Sequence, residues 1–163
     1  MPFIIASCTT NAITNRRQIS LLNESELQKM STEQYSTFLS QNKVITPAGS
    51  GKDAAAAGMV RRVGERLVAA INSYYSQKGL TKELEGYKWE YNLVDSKEVN
   101  AWCMPGGKIV VYSGLLPITE NETALAIVMG HEITHALAHH GNERMSQQMI
   151  AQEIGRASCR ERV

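Results

Sequence analysis

The feature that most constrains this chain is a His-Glu-x-x-His motif, His131 to His135, set inside an apolar run. On an α-helix, residues four apart project from one face about one turn apart, so both imidazoles can reach a single metal ion. The apolar residues around the motif keep helical spacing: Ala124, Leu125, Ile127, Val128, Ile133, Ala136 and Leu137. The pattern therefore predicts a long, largely buried helix that carries a metal site.

The residue types of the motif suit zinc. Neutral imidazole is a good zinc ligand, and a catalytic zinc site with three protein ligands keeps one position for water. Glu132 can take a proton from that water and pass it to the leaving amine of a peptide. We therefore predict one Zn²⁺ per chain, held by His131 and His135, with Glu132 as the catalytic residue of peptide hydrolysis. The alternative is a surface helix whose two histidines are merely hydrogen-bonded.

Three blocks of the chain carry a resemblance to a known family, which runs from about Cys8 to Gln152. They are residues 10–18 (TNAITNRRQ), 100–109 (NAWCMPGGKI) and 130–146 (GHEITHALAHHGNERMS). The chain resembles bacterial zinc metallopeptidases of the HtpX-like and BepA-like kind, which are related to the CAAX-prenyl endopeptidases.

The resemblance implies a gluzincin, in which a Glu from a later helix is the third zinc ligand. That Glu is absent from this sequence. Residues 9–152 are therefore predicted to be the N-terminal part of a zinc metallopeptidase domain, truncated before its third ligand and inactive by itself. The implied role is turnover of misfolded proteins in the cell envelope.

The patterns along the chain predict an α+β, zincin-like fold with a small antiparallel or mixed sheet packed on the motif helix. Predicted helices cover residues 25–42, 53–77 and 120–140, and predicted strands cover residues 87–94, 99–104 and 108–112. The motif helix would be about 31 Å long and end at Gly141. Its cap is a Thr119/Glu122 capping box or Asn121, while Asp53 and Asn142 are predicted caps of other helices.

The resemblance also implies where substrate binds. The strand that holds Asn100 and Ala101 is expected to form the sheet edge along the cleft, and these two residues are the predicted substrate-binding residues. An edge strand with free N–H and C=O groups can bind an extended peptide by strand addition, so the predicted partners are extended or unfolded polypeptides. An ordinary edge strand is the alternative. A non-catalytic, chaperone-like peptide-binding module is the competing function, against which the intact Glu132 argues.

Three other residues could supply a third ligand from within the chain: His139, His140 and Glu143. On one continuous helix His139 lies about 12 Å along the axis from His131, whereas zinc bonds are only about 2 Å long. His140 meets the same difficulty, and Glu143 follows the predicted helix end. We therefore expect all three to be surface groups or indirect supports of the site.

The N-terminal residues predict the location of the protein. Ile5-Ala6-Ser7-Cys8 resembles a bacterial lipobox, although the run before it is short and lacks basic residues. Residues 1–8 are thus a predicted partial lipoprotein signal that ends at the lipid-site Cys8, and a cytosolic N-terminus is the alternative. No apolar stretch approaches the roughly 20 residues that a spanning helix needs. We expect a lipid-anchored protein on the periplasmic face of a bacterial membrane, with the outer membrane favoured.

The C-terminal residues differ from the rest of the chain. From Ile154 onward the sequence IGRASCRERV shows no cap and no core pattern, and it can be back-translated into one frame of a common sequencing adapter. We therefore predict that residues 153–163 are a sequencing-adapter artefact and not part of the natural protein. A natural polar C-terminus is the alternative.

Charge and motif content exclude other classes of function. The formal net charge is +1 without a basic stripe, so nucleic acid is not a predicted partner. Gly51-Lys52 fails as a P-loop because Thr46 stands at the required first glycine and Asp53 follows the lysine, so no nucleotide is predicted. Once Cys8 is assigned to a lipid and Cys159 to the artefact, Cys103 remains alone, as a packed residue rather than a nucleophile.

Overall fold

The computed structural model describes the backbone of residues 8–160 and the side chains of residues 8–153. The predicted lipoprotein signal upstream of Cys8 lies outside these residues. The elements are β1 (Cys8–Thr10), β2 (Arg17–Ile19), α1 (Glu24–Gln41), β3 (Val44–Ile45), α2 (Lys52–Gln77), β4 (Glu90–Val94), β5 (Ala101–Met104), β6 (Lys108–Tyr112), α3 (Leu116–Thr119), α4 (Glu122–Leu137) and α5 (His140–Arg160). None of the described helices has an apolar stretch long enough to cross a membrane.

Four strands form a mixed sheet in the order β3-β4-β6-β5, in which β4 and β6 run parallel and the other neighbours antiparallel. Helices cover both faces of this sheet. Ile109 and Val111 of β6 pack into a cluster with residues of α2 and α4, whereas Val110 packs with Tyr35 of α1. Because β6 is buried on both sides, it is a continuous apolar run. The predicted α+β fold with a mixed sheet is confirmed, and β5 is the edge strand beside α4.

Strands β4 and β5 are shorter than predicted. They begin at Glu90 and Ala101 rather than at residues 87 and 99. Backbone pairing nevertheless extends slightly beyond them, since the amide of Lys88 donates to the carbonyl of Gly106 at 2.9 Å. The predicted glycine turn before β6 is present, and Gly106 and Gly107 both have positive φ, 84° and 85°. A β-carbon on Gly107 would lie 2.7 Å from the ring of Trp89, so this position requires glycine for space as well as for conformation.

Helix α2 approaches β4 through Gly64. A β-carbon there would lie 2.3 Å from Cδ1 of Tyr91, whereas one on Gly58 of the same helix would meet only Arg62 Nη1 at 3.5 Å. We therefore expect Gly58→Ala to raise the free energy of unfolding by about 0.5–1 kcal/mol through helix propensity. Gly64→Ala should lower it by about 1–3 kcal/mol because the core is overpacked. Urea denaturation of both variants measures this, and equal stabilisation would contradict the close packing of α2 on β4.

The motif helix α4 starts as predicted and ends early. Asn121 is the N-cap, and its side chain accepts a hydrogen bond from the amide of Ala124 at 2.9 Å, so the second of the two predicted caps is the observed one. Thr119 is buried, and its hydroxyl donates to the carbonyl of Leu116 at 3.2 Å. The predicted extension to His140 is wrong, because α4 ends at Leu137.

The early end of α4 is set by contacts from distant parts of the chain. Asn11 Nδ2 donates to the carbonyl of Leu137 and the Tyr87 hydroxyl donates to the carbonyl of Ala136, both at 3.3 Å. Burial raises the pKa of Tyr87, so its hydroxyl stays protonated and donates. These bonds satisfy carbonyls that a helix terminus leaves without a partner. His139, with φ 55°, then turns the chain, so Gly141 lies inside α5 rather than at the helix stop.

Asn142 was predicted to cap a helix, but it is a buried residue within α5. Its Nδ2 donates to the carbonyl of Leu22 at 2.9 Å, and its Oδ1 accepts from the Ser146 hydroxyl at 3.2 Å. Ser146 Oγ in turn accepts from the amide of Leu21 at 2.9 Å. These bonds tie α5 to the segment that precedes α1.

The start of α2 and the end of α5 differ from what the sequence patterns indicate. The N-cap of α2 is Gly51, and Asp53 lies in the first turn, where its charge favours the helix dipole. Helix α5 continues to Arg160, although the sequence from Ile154 onward shows no cap and no core pattern. The origin of residues 153–163 stays a prediction.

Candidate active site

The two histidines of the motif converge on α4. Nε2 of His131 lies 2.9 Å from Nε2 of His135, and the two rings meet edge to face at 88°. Two nitrogens bound to one tetrahedral zinc, each about 2.0–2.1 Å from it, are about 3.3 Å apart. The observed separation is close to that value, so the two imidazoles fit a shared ion by donor chemistry and by spacing. Their role as ligands stays a prediction.

His140 lies against the other side of the His135 ring. The Nδ1 atoms of His135 and His140 are 2.6 Å apart, a contact that a continuous helix does not predict. The turn at His139 starts a new helix and returns His140 to the motif. Burial and the neighbouring His135 lower the pKa of His140, so a neutral imidazole faces His135. A group in this position can fix the tautomer and orientation of the His135 ring, as expected for an indirect support of the site.

The third ligand stays a prediction. Within residues 8–153, no group of three or more His, Cys, Asp or Glu side chains is arranged to hold a metal ion. Glu143 has another partner, since it forms an ion pair with Arg16 of the β1–β2 connection.

Glu132 lies half-buried on α4 and lines a cleft of about 660 Å³ together with His135. The cleft is bounded by β5, α1 and the first turns of α5. Burial, assisted by the nearby Glu132 carboxylate, raises the pKa of the Cys103 thiol to about 12. Cys103 is therefore a protonated, packed thiol at neutral pH and is not a nucleophile.

Strand β5 supplies one wall of this cleft through Trp102, Cys103 and Met104. It pairs with β6 on one side, and within residues 8–160 no strand pairs with its other side. Asn100 is exposed just before the strand, and its backbone carbonyl accepts a hydrogen bond from the amide of Tyr112 at 3.0 Å. Ala101 packs against the core. The strand is thus the predicted edge, and substrate binding by Asn100 and Ala101 stays a prediction.

His139 is less exposed than the sequence predicted. Its Nδ1 lies 3.1 Å from Oε2 of Glu24, and this carboxylate raises the pKa of His139. The two side chains form an ion pair at the end of the cleft. No local signal predicts this contact, because Glu24 begins α1 and His139 lies in the turn between α4 and α5.

Known proteins show similarity to the part of the chain that builds this site. The family model described as Peptidase family M48 matches residues 54–159, which include α2 from its third residue onward, the whole mixed sheet except β3, and α4. The mitochondrial metalloendopeptidase OMA1 of Arabidopsis thaliana is 44% identical over 69 residues, which are 42% of this chain and 14% of that protein.

Two other relatives cover more of the chain. The beta-barrel assembly-enhancing protease of Yersinia pestis is 33% identical over 89 residues, 55% of this chain and 16% of that protein. The human metalloendopeptidase OMA1 is 25% identical over 155 residues, 94% of this chain and 27% of that protein. The chain thus spans between 14% and 27% of the length of these three relatives.

Proposed function

Because the chain belongs to peptidase family M48, we propose that it forms the core of a zinc-dependent metalloendopeptidase. The observation that carries the proposal is the arrangement along α4. The Nε2 atoms of His131 and His135 converge at 2.9 Å, and Glu132, between them in sequence, lines the cleft beside the edge strand β5. A pair of metal ligands, a general base and a peptide-binding edge are thus held by two adjacent elements.

The side chains divide the chemistry among them. His131 and His135 would hold zinc through Nε2, and His140 would keep the His135 ring in one orientation. Zinc, when bound, supplies Lewis acidity toward water and toward the substrate carbonyl. The Glu132 carboxylate accepts a proton from the attacking water and delivers it to the amide nitrogen as the C–N bond breaks. The leaving group then departs as a neutral amine.

The proposed substrates are extended or unfolded polypeptides. The outer side of β5 offers backbone donors and acceptors next to Glu132, and an added strand would bind there through main-chain hydrogen bonds. Such bonds do not depend on side-chain identity, which suits an enzyme that accepts varied sequences.

For the location, we propose a lipoprotein of the bacterial cell envelope, facing the periplasm and serving protein quality control. Two observations support it: Cys8 is exposed at the start of β1, and one group of relatives carries the name beta-barrel assembly-enhancing protease. The competing proposal is a mitochondrial location, because other relatives carry the name mitochondrial metalloendopeptidase. Mass spectrometry of the mature N-terminus decides between a diacylated Cys8 and an unmodified one.

The function is tested with the complete gene product and a reduced, alkylated protein as substrate. We expect hydrolysis that a zinc chelator abolishes and added Zn²⁺ restores, because the general base acts on water that the metal activates. Binding of the unfolded protein without hydrolysis, with or without zinc, would instead support the non-catalytic peptide-binding module.

A further inference from the structure

A second cavity, of about 500 Å³, lies next to the cleft and shares Glu24 and His139 with it. It is lined by residues of the β1–β2 hairpin, of the first turns of α1 and of the segment 82–86. Its volume lies within the usual range of small-ligand pockets, about 300–1,000 Å³. The proposed peptide cleft and this cavity therefore meet at one ion pair.

Two buried oxygens of residues that line this cavity have no hydrogen-bond partner within the described side chains: Gln18 Oε1 and Glu24 Oε1. Gln18 is only 5% exposed, so water has little access to its amide. Buried polar groups are normally hydrogen-bonded, and two unpaired oxygens at one cavity point to a group that completes them on binding. Both are oxygen acceptors, so the missing group is a donor.

The charge around the cavity favours a cationic donor. Glu24, Glu83 and Glu85 bring three carboxylates, while Lys82 brings one ammonium group. His139 approaches Oε2 of Glu24 at 3.1 Å, while Oε1 of the same carboxylate is buried and has no hydrogen-bond partner within the described side chains. A lysine ammonium carries three donors and an arginine guanidinium five, and either can bond to an amide oxygen and a carboxylate together.

We propose that this cavity is a specificity subsite, which receives a lysine or arginine side chain of the peptide that lies along β5. The inference rests on the proposed function, because it takes the bound peptide as given. It also assigns a role to the β1–β2 hairpin formed by residues 8–19. The buried Gln18 of this hairpin has no part in the proposed catalytic site. The peptide backbone stays at the edge strand, and the basic side chain passes the Glu24–His139 pair.

The test compares substrates that differ by one charge. A series of peptides with a single lysine at successive positions is matched by the same series with norleucine, and kcat/KM is measured with the complete gene product. At one position we expect the lysine peptide to be preferred by about 10- to 100-fold, the range for a charged hydrogen bond. The preference should fall to about one in Glu24→Gln and in Gln18→Leu, the second of which changes no charge.

Glu26→Gln is the matched control, because Glu26 is an exposed carboxylate in the same first turn of α1. It should keep the full preference. Glu24→Gln could unfold because Glu24 Oε2 accepts a hydrogen bond from Asn142 Nδ2 at 3.4 Å. In that case Gln18→Leu still tests the subsite. Equal kcat/KM values for lysine and norleucine at every position would overturn the subsite and show a cavity filled by ordered water only.

Direct binding separates this inference from the proposed function. The affinities of the same peptides are measured by calorimetry on the Glu132→Gln variant, which is expected to bind without turnover. Tighter binding of the lysine peptide, together with no hydrolysis by the unsubstituted protein, would support the subsite and refute the peptidase. Hydrolysis without any preference for lysine in rate or affinity would support the peptidase and refute the subsite.

Discussion

Glu132→Gln should lower kcat for peptide hydrolysis by about 10²- to 10⁴-fold in the complete gene product, the usual contribution of a general base. The amide has the same shape as the carboxylate, so the helix and the cleft are retained. It cannot take a proton from water, however, so the loss falls on kcat rather than on KM. Zinc content should be unchanged, since the Nε2 pair of His131 and His135 is left intact.

Glu122→Gln is the control for this substitution. Glu122 lies in the first turn of the same helix, 2.7 Å from Arg62, and far along the axis from the motif. Its loss should leave hydrolysis unchanged. Full activity of Glu132→Gln on an unfolded protein would refute the mechanism, and loss of zinc in that variant would identify Glu132 as a ligand.

His135→Ala should weaken zinc binding by more than about 100-fold and abolish hydrolysis, because it removes one of two converging ligands. His140→Ala removes only the partner of His135 Nδ1, so it should cost about 10- to 100-fold, the range for groups that orient a ligand. Competition with a chromophoric chelator measures both affinities. Zinc affinity should therefore be highest in the wild type, lower in His140→Ala and lowest in His135→Ala.

Thr134→Ala is the control for this series. Thr134 is exposed next to His135, and its hydroxyl donates only to the carbonyl of Gly130 one turn earlier, at 2.8 Å. Zinc affinity should not change. If His140→Ala proved as damaging as His135→Ala, His140 would be a direct ligand, and the geometry around His135 Nδ1 would need another explanation.

Local patterns in the sequence were sufficient for the parts of the fold that depend on nearby residues. Asn121 caps α4 because its side chain reaches an amide three residues on, and Gly106 and Gly107 turn β5 into β6 because they adopt positive φ. For α1, the spacing of Leu27, Met30 and Tyr35 predicts that all three lie on one packed face. Leu27 and Tyr35 are buried as expected, but Met30 is 44% exposed, because α1 covers only the far face of the sheet and leaves one side open to the cleft.

The sequence by itself determined that His131, Glu132 and His135 share one turn of a helix, since a spacing of four residues and the apolar run around it leave no other regular structure. Only the tertiary structure decided where that helix ends. Its last carbonyls accept bonds from Asn11 and Tyr87, which lie 126 and 49 residues away in the chain. A local pattern cannot contain such contacts. They stop α4 at Leu137 and bring His140 to His135, because backbone carbonyls at a helix end must find partners wherever the fold provides them.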